Sequence, residues 1–484
     1  MVDETRTAAE RPGPTAATFV RQDIWLLQPE GAPFHPIVLA YAEAVAVLKQ
    51  NAGQSPHRWW RHHTQVHGLS PDPRDGLRNQ CQHNSWFFLP WHRMYLFFFE
   101  SICRSIIQGL PDIPDAIKAT WALPYWDYDR TNSRLLPPAF RAELIDGDRG
   151  RPNPLFDTER DPDINSGAIG LTPFETTASG WFRALPYAAR FPNGASFGGP
   201  ETAFHHFSES GNASPGPLER TPHGNVHVTV GGLNGKMGDF NRAAGDPIFW
   251  LHHANLDRLW EIWRANTGAG QDPVDPRFAG QGFAFLDAAG ARTTLRCGNV
   301  LNTLNLNYTY ADMSVPASSG RAPTIGQLMP RDINVPPQTL GAIDSPMSLA
   351  RGLPTSVDFD LSDFMAVVME DPNDPRRVLL SIDHITGAAR PTSVFGVFAL
   401  PDDGGEGAYL GSLPMFGMVE ANAADAEHGL SYVFDVTETM MELLNAGRWE
   451  PTHIRLAFAP INEAARMSED VGAVSIGSVS LMAQ

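Results

Sequence analysis

Six of the 16 histidines fall into two sets of three that could each hold a metal ion. In the second set His223 and His227 are four residues apart, a spacing that places both imidazoles on one face of a helix, where they can bind one ion. His253 lies in the apolar run that follows Asp246-Pro247, a pair typical of a helix start. The two sets are His67, His83 and His92, and His223, His227 and His253.

The choice between His252 and His253 follows from helical geometry. Neighbouring residues on a helix point about 100° apart, so both imidazoles cannot easily enter one site. Helical spacing puts His253 on or near the face that carries Phe249 and Leu256, which predicts His253 as the ligand and His252 as its neighbour. Two hydrogen-bonded core histidines are the alternative for an isolated pair.

The types of the ligands favour copper. A di-iron bundle would need glutamate ligands, and a structural zinc site would more often use cysteine. Three imidazoles suit copper, which also heads the affinity series for nitrogen ligands, although zinc stays chemically open. Two such sites that face each other would form a coupled pair able to bind O2 between them.

Helical segments are predicted to carry these imidazoles into the core. Helix patterns cover 35–50 and about 56–67, a third begins at Pro90, and helix signals return at His223 and Asp246. Imidazoles that point inward from four helices make a metal site in a bundle core. The predicted fold is therefore a mainly α catalytic domain, with an antiparallel four-helix bundle around a dicopper site and with long loops.

A β-rich domain is predicted to follow the catalytic one. Short strand patterns separated by Gly and Asp turns, such as 378–382 and 454–458, mark it. We divide the chain into a disordered N-terminus at 1–18, the dicopper domain at 19–312, a Pro/Ser/Gly-rich linker at 313–355 and a β-rich C-terminal domain at 356–484.

The composition excludes several classes of partner. The 484 residues include 54 acidic and 36 basic side chains, and the net charge of -18 argues against nucleic acid or an anionic membrane as partner. We recognise neither a secretory signal nor a membrane-spanning run, so we expect a cytoplasmic protein, which could form a homo-oligomer. The three cysteines, Cys81, Cys103 and Cys297, predict no disulfide framework.

Three motifs resemble the copper A and copper B signatures of the family of tyrosinases, catechol oxidases and molluscan haemocyanins. They are HNSWFFLPWHR at 83–93, HGNVH at 223–227 and DPIFWLHHANLDRLW at 246–260. Arg21, PYWD at 124–127 and Tyr308-Thr309-Tyr310 resemble further family features, so the resemblance covers about Val20 to Asp312. It implies two copper ions, copper A on His67, His83 and His92, and copper B on His223, His227 and His253.

Two details of the ligand set rest on the same resemblance. His57, His62 and His63 lie near His67, but His67 precedes His83 by sixteen residues, a separation seen in bacterial members. Cys81 precedes His83 by two residues. Family members with Cys-x-His join this sulfur to the imidazole by a thioether, which would hold the ligand rigid. A buried cysteine without this bond is the alternative.

The implied reaction is the oxidation of an o-diphenol by O2 to an o-quinone, and three residues are predicted to tune it. Glu219 resembles the plant-type glutamate that positions a water near copper B. Gly224 stands where monophenol-active members often carry an asparagine that helps to activate this water, and Asn225 is predicted to point elsewhere. Phe240, thirteen residues before His253, resembles a bulky gate that we expect to narrow the approach to copper B.

We therefore predict an o-diphenol:O2 oxidoreductase of the catechol oxidase or polyphenol oxidase type, which oxidises o-diphenols to o-quinones and has weak monophenolase action. A tyrosinase that hydroxylates monophenols, a haemocyanin-like O2 carrier and a zinc-loaded binding module are the alternatives. The C-terminal domain resembles, in position and β-rich pattern, the domain that shields the dicopper site of latent plant and fungal enzymes. We expect it to lie over the mouth of the site, although the sequence names no plugging residue.

Overall fold

The computed structural model describes residues 19–51, 53, 55–69, 75–145, 150–177, 186–190, 195–203, 214–267, 272–316, 336–349, 354–371, 375–390, 393–424, 429–462 and 474–484. The N-terminus predicted to be disordered, 1–18, lies outside this part. The helices are α1 (Ile24–Leu27), α2 (Pro36–Gln50), α3 (Trp60–His67), α4 (Phe88–Gln108), α5 (Asp115–Thr120), α6 (Pro138–Arg141), α7 (Pro162–Ser166), α8 (Pro173–Thr176), α9 (Asn225–Gly231), α10 (Ile248–Thr267), α11 (Pro276–Gly280), α12 (Phe364–Val368), α13 (Met418–Ala424) and α14 (Thr437–Asn445). The strands are β1 (Phe19–Arg21), β2 (Gly282–Leu286), β3 (Arg292–Arg296), β4 (Tyr308–Tyr310), β5 (Gln338–Ile343), β6 (Met347–Leu349), β7 (Thr355–Asp360), β8 (Val378–Gly387), β9 (Phe395–Ala399), β10 (Ala408–Leu413), β11 (Leu430–Asp435), β12 (His453–Pro460), β13 (Val474–Ile476) and β14 (Ser478–Ala483).

Two long buried helices form the centre of the catalytic region. α4 packs on α10 and α2, and the rings of Phe99 and Trp250 stack between α4 and α10 with centroids 3.5 Å apart. α10 begins where the sequence predicts, because Asp246 Oδ1 accepts a hydrogen bond from the backbone N–H of Ile248 at 3.1 Å. Arg160 binds the same buried carboxylate at 2.7 Å. The helical catalytic region is confirmed, whereas the antiparallel four-helix arrangement stays a prediction.

The first and last strands of the catalytic region are fastened to its central helices. β1 and β4 pair in parallel, with Arg21 opposite Tyr310. The buried guanidinium of Arg21 lies 2.6 Å from Glu100 on α4 and 3.3 Å from Asp257 on α10. Tyr308 donates a hydrogen bond to Asp257 at 2.6 Å. Because these charges compensate one another inside the core, both ends of the region are held to the helices that carry histidines.

The C-terminal region is rich in β structure, as predicted. One antiparallel sheet has the order β10-β9-β12-β7, and the other runs β5-β14-β8-β13-β6 with β11 paired to β8. β7 alternates buried and exposed residues, as a strand with one face on the core does. The first five residues of β8 are all buried, because this strand lies in the middle of its sheet.

The predicted linker at 313–355 is too long at its C-terminal side. β5 and β6 lie within it and pair with β14 and β13. The intervening Gly, Ser and Pro residues hid these two short strands, whose pairing partners are more than 120 residues away in the sequence. The β-rich region therefore begins by residue 338 rather than 356. Among the described residues no helix is both long enough and apolar enough to cross a membrane.

Candidate metal centre

The first predicted set of histidines converges where α3 ends and α4 begins. His67 is the last residue of α3, His83 precedes α4, and His92 lies in the second turn of α4. The ring centroids of His67 and His83 are 5.5 Å apart, and the centroid of His92 lies 5.7 and 5.3 Å from them. One ligand atom from each of His67, His83 and Cys81 lies within 4.8 Å of the other two. The structure thus brings the set together with a thiol beside it.

The second set faces the first across a short gap. His223 lies in a π-helical turn, Glu219–Gly224, that leads into α9, and His227 follows on α9 itself. The ligand atoms of His223, His227 and His253 all lie within 4.8 Å of one another. The ring of His253 stacks on that of His92 with centroids 4.5 Å apart. Two three-histidine groups therefore lie side by side in the core.

Backbone carbonyls orient four of the six imidazoles. The Nδ1 to oxygen pairs are His67 to Phe240 at 3.1 Å, His92 to Phe88 at 2.8 Å, His223 to Glu219 at 2.9 Å and His227 to Met237 at 2.8 Å. A carbonyl only accepts, so each Nδ1 carries the proton and each Nε2 keeps its lone pair. Nε2 of His92 and of His223 is buried and has no hydrogen-bond partner among the described residues. Such lone pairs are what a bound metal ion satisfies.

Burial keeps four of the six imidazoles neutral. It lowers the pKa of His92 and of His227 to about 3. It also lowers the pKa of His223 and of His253 well below the ordinary value, and the neighbouring histidines add to that effect. Neutral imidazole is the form that binds a metal. No carboxylate among the described residues joins either group, so the donors are imidazole nitrogens with one thiol beside them, a set that fits copper.

The alternative histidines lie outside both groups. Nε2 of His63 lies 2.9 Å from the carbonyl oxygen of His57, and the His63 ring packs against Phe99. His252 is buried, but its Nδ1 lies 3.3 Å from the hydroxyl of Tyr128. The structure therefore groups His67 and His253 with the other predicted ligands and leaves these neighbours in the surrounding core.

Glu219 is buried at the edge of the two groups. Its Oε1 accepts a hydrogen bond from the backbone N–H of Asn84 at 2.7 Å, and its Oε2 has no partner among the described residues. Burial raises the pKa of this carboxyl well above the ordinary value. Sequence reasoning missed Asn84, because a backbone donor leaves no mark on residue type. Its position directly after His83 is the only available signal.

Gly224 has no room for a side chain. A Cβ at this position would lie 2.7 Å from both Cβ and Cγ of Pro414, which belongs to the β-rich region. Asn225 points away from the imidazoles, as predicted, and its Nδ2 donates to the hydroxyl of Ser412 at 2.8 Å and to the carbonyl of Glu175 at 3.2 Å. Position 224 thus presents no side chain to Glu219, and its backbone lies close to Pro414 of the β-rich region.

Phe240 packs on the first histidine set, and its role as a gate that narrows the approach to the second set stays a prediction. Its ring centroid lies 5.3 Å from that of His67 and 5.1 Å from that of His83. The loop between α9 and α10 carries Phe240 across to the end of α3, where a Cβ on Gly68 would lie 2.7 Å from the Phe240 carbonyl oxygen. This close approach lets the carbonyl orient His67.

A loop of the β-rich region packs against the site. This covering loop, residues 414–417, connects β10 to α13. The ring of Phe416 stacks on that of His227, with centroids 4.2 Å apart and planes at 16°, and lies 5.6 Å from that of His223. Pro414 and Phe416 line a cavity whose other walls include His83, Asn84, Glu219, Arg220, His223, Leu430 and Tyr432. Sequence reasoning missed these covering residues, and the only mark they leave in the sequence is an apolar Met-Phe pair between a proline and a glycine.

Two facing histidine-rich groups in a helical region, with Phe416 of the β-rich region stacked on one of them, form a candidate dinuclear metal site. Residues 56–266 match a family model described as the common central domain of tyrosinase. Residues 336–484 match a domain of unknown function, DUF7868. Residues 56–266 thus form a tyrosinase-type domain, and the similarity to tyrosinases and polyphenol oxidases indicates a copper-dependent, phenol-oxidising enzyme with two copper ions as its cofactors.

Named relatives cover different shares of the chain. Tyrosinase HcTyr1 of Hahella sp. (strain CCB-MM4) is 29% identical over 489 residues, 91% of this chain and 95% of HcTyr1. The chloroplastic polyphenol oxidase of Malus domestica is 32% identical over 250 residues, 49% of this chain and 40% of that enzyme, so the match spans less than half of its length. The structure of latent apple tyrosinase (MdPPO1) matches the fold with a TM-score of 0.65 at 22% identity, over 98% of this chain and 99% of that one.

Proposed function

We propose that this enzyme is chiefly an o-diphenol oxidase with weak action on monophenols. The supporting observation is the gap at Gly224, where no side chain stands to share a water with Glu219. A monophenol must lose its hydroxyl proton before it is hydroxylated, whereas an o-diphenol needs less help with deprotonation. Because no side chain at position 224 helps Glu219 and its water to accept a proton, oxidation of the diphenol is favoured over hydroxylation of the monophenol.

Each copper ion is assigned three imidazoles, copper A on His67, His83 and His92, and copper B on His223, His227 and His253. Bound copper supplies the electron transfer by which O2 is reduced while the diphenol is oxidised. Backbone carbonyls orient four of these imidazoles, and burial holds those of His92, His223, His227 and His253 neutral. Glu219 is placed to hold a water or to accept a phenolic proton. In this assignment α3, α4, α9 and α10 act as the predicted antiparallel four-helix bundle.

A thioether between Cys81 and His83 is part of the proposal. The sulfur and the imidazole belong to the same group of ligand atoms within 4.8 Å. Cys81 is fully buried, and burial raises the pKa of its thiol well above the ordinary value, which disfavours a thiolate ligand. A covalent bond would restrict the rotation of His83 and so hold one ligand of copper A in place.

A tyrosinase that hydroxylates monophenols is the second candidate, because HcTyr1, which this chain covers almost completely, carries that name. Oxygen uptake by the copper-loaded full-length protein with 4-methylphenol and 4-methylcatechol separates the two candidates. The substrates differ in one hydroxyl group only. We expect the catechol rate to exceed the phenol rate by ~10²-fold or more, since general-base help is worth ~10²- to 10⁴-fold. Comparable rates without a lag would establish a tyrosinase, and no uptake with either substrate would contradict both candidates.

We further propose that the β-rich region shields the site. A phenol cannot stack against His227 while Phe416 does so. Several contacts support this position of the β-rich region, including a hydrogen bond between the hydroxyls of Thr221 and Ser412 at 2.7 Å and an ion pair between Arg390 and Asp239 at 3.0 Å. The covered form is therefore expected to turn over slowly.

Replacement of Phe416 tests the shield. Aromatic stacking is worth about 0.5–1.5 kcal/mol, so Phe416→Ala should raise kcat/KM for 4-methylcatechol about 2- to 12-fold. Phe364→Ala is the matched control, because it removes the same ring from the β-rich region at a place where it packs on Trp449 instead. Cleavage between residues 317 and 335 followed by separation should raise the rate on bulky diphenols further. Unchanged rates in both experiments would mean that the β-rich region only stabilises the fold.

A further inference from the structure

Arg220 is a buried cation without an acidic partner among the described residues. Its side chain is 7% exposed, and its Nε has no hydrogen-bond partner there. Burial lowers the pKa of its guanidinium to about 10, so it still carries its charge at neutral pH. A buried charge without a counter-ion costs free energy, so this position calls for a ligand. Four other buried arginines each contact a carboxylate, namely Arg21, Arg93, Arg160 and Arg258.

The guanidinium borders the space that a diphenol must enter. Arg220 follows Glu219 and precedes His223 by three residues, and all three line the cavity under the covering loop. Among the described residues that line this cavity, Arg220 is the one with a permanent positive charge. The cavity therefore offers imidazoles for a phenolic ring and one cation near them.

In the covered form, residues of β11 contact the guanidinium of Arg220. Nη1 of Arg220 donates to the carbonyl oxygen of Val433 at 2.7 Å, and its Cζ lies 4.2 Å from the centroid of the Phe434 ring. Tyr432, which also lies on β11, donates its hydroxyl hydrogen to the carbonyl of Pro414 in the covering loop. β11 and the covering loop are thus joined. If they withdraw together, Arg220 loses its acceptor when the diphenol gains access.

From this arrangement we propose that Arg220 binds the carboxylate of an acidic o-diphenol and gives the uncovered enzyme a preference for such substrates. The inference rests on the proposed diphenol oxidase function. The substrate ring takes the place of Phe416, and its carboxylate takes the place of the Val433 carbonyl. A guanidinium can donate two parallel hydrogen bonds to a carboxylate. Because the chain carries a net charge of -18, a local cation also offsets the repulsion of an acidic substrate.

The test compares 3-(3,4-dihydroxyphenyl)propionate with its methyl ester on the copper-loaded full-length protein. The population of the uncovered form multiplies kcat/KM for both substrates and cancels in their ratio. We expect the wild-type ratio of acid to ester to exceed one. Arg220→Gln should lower this ratio about tenfold while the ester is still oxidised, and Arg220→Lys should keep part of the preference.

Arg390→Gln is the matched control. Arg390 also bridges the two regions, through Asp239 at 3.0 Å, but it does not line the cavity. Its loss should change the rates on both substrates equally and leave the ratio at the wild-type value. An unchanged ratio in Arg220→Gln would overturn the proposal.

Ionic strength provides a test that needs no variant, should Arg220→Gln fail to fold. Raising the salt concentration from about 20 to about 500 mM should lower the wild-type ratio of acid to ester several-fold, because salt screens the attraction between guanidinium and carboxylate. A ratio near one that does not respond to salt would overturn the proposal. If the wild-type protein oxidises neither compound, the proposed diphenol oxidase function is contradicted. If it oxidises the ester but shows no preference for the acid, only the proposed role of Arg220 is contradicted.

Discussion

Replacement of Gly224 by asparagine should uncover the site and change its substrate preference at the same time. A Cβ at this position would lie 2.7 Å from both Cβ and Cγ of Pro414. The proline ring is stiff, so the covering loop has to move, and Phe416 moves with it from His227. Overpacking of this kind costs about 1–3 kcal/mol. That cost shifts the equilibrium between covered and uncovered forms about 5- to 150-fold.

Gly224→Ala is the matched variant, because it adds the Cβ but not the amide. Both variants should raise kcat/KM for 4-methylcatechol, by about tenfold if the contact costs about 1.4 kcal/mol. Asparagine alone also brings an amide near Glu219, where it can support the water that accepts a phenolic proton. The ratio of 4-methylphenol to 4-methylcatechol oxidation, measured as initial O2 uptake, should therefore rise in Gly224→Asn and stay at the wild-type value in Gly224→Ala.

Two results would refute this reasoning separately. An unchanged diphenol rate in Gly224→Ala would show that the contact with Pro414 does not hold the covering loop in place. Equal substrate ratios in the alanine and asparagine variants would show that the residue at 224 does not govern monophenol oxidation through Glu219. Equal copper content in all three proteins is the control that assigns the changes to access and deprotonation.

Three further predictions concern the ligands, the thioether and the pH dependence of stability. His253→Ala should lose one of two copper ions per chain by metal analysis, whereas His252→Ala should keep both; the opposite pattern would exchange their roles. After removal of copper, the intact mass of the protein should lie two hydrogens below the sequence mass, and Cys81 should resist alkylation. An alkylated Cys81 in active, copper-loaded protein would exclude the thioether. Burial raises the pKa of Asp23 to about 6, so its ionised form opposes folding at higher pH. Asp23→Asn should therefore stabilise the copper-free protein by about 1–2 kcal/mol near pH 7.5. Near pH 4 the gain should be much smaller, because the carboxyl is largely protonated in the folded state. A larger gain in thermal midpoint at pH 4 than at pH 7.5 would contradict this reasoning.

The helices and the histidine groups could be predicted because their signals are local. The apolar pattern of α4, the helix start at Asp246 and the four-residue spacing of His223 and His227 each depend on residues within one or two turns. The position of His253 rather than His252 also follows from the geometry of one helix. Local periodicity therefore predicts which imidazoles turn inward.

The residue that covers the site could not be predicted, because its contacts join segments that are distant in the sequence. Phe416 reaches His227 across almost 190 residues of chain, and Pro414 explains the glycine at position 224 only once both are placed. β5 was missed for the same reason, since its pairing with β14 near the C-terminus leaves no local pattern strong enough to mark it as a strand.

The most direct test of a coupled dicopper oxidase is a stepwise copper titration of the metal-free protein, with O2 uptake on 4-methylcatechol measured after each addition. Because the reaction requires both ions in one molecule, activity at one copper per chain should be much less than half of the maximum, and the maximum should be reached at two. Full activity at one copper per chain, or none at two, would contradict the assignment of His67, His83 and His92 to one ion and His223, His227 and His253 to the other.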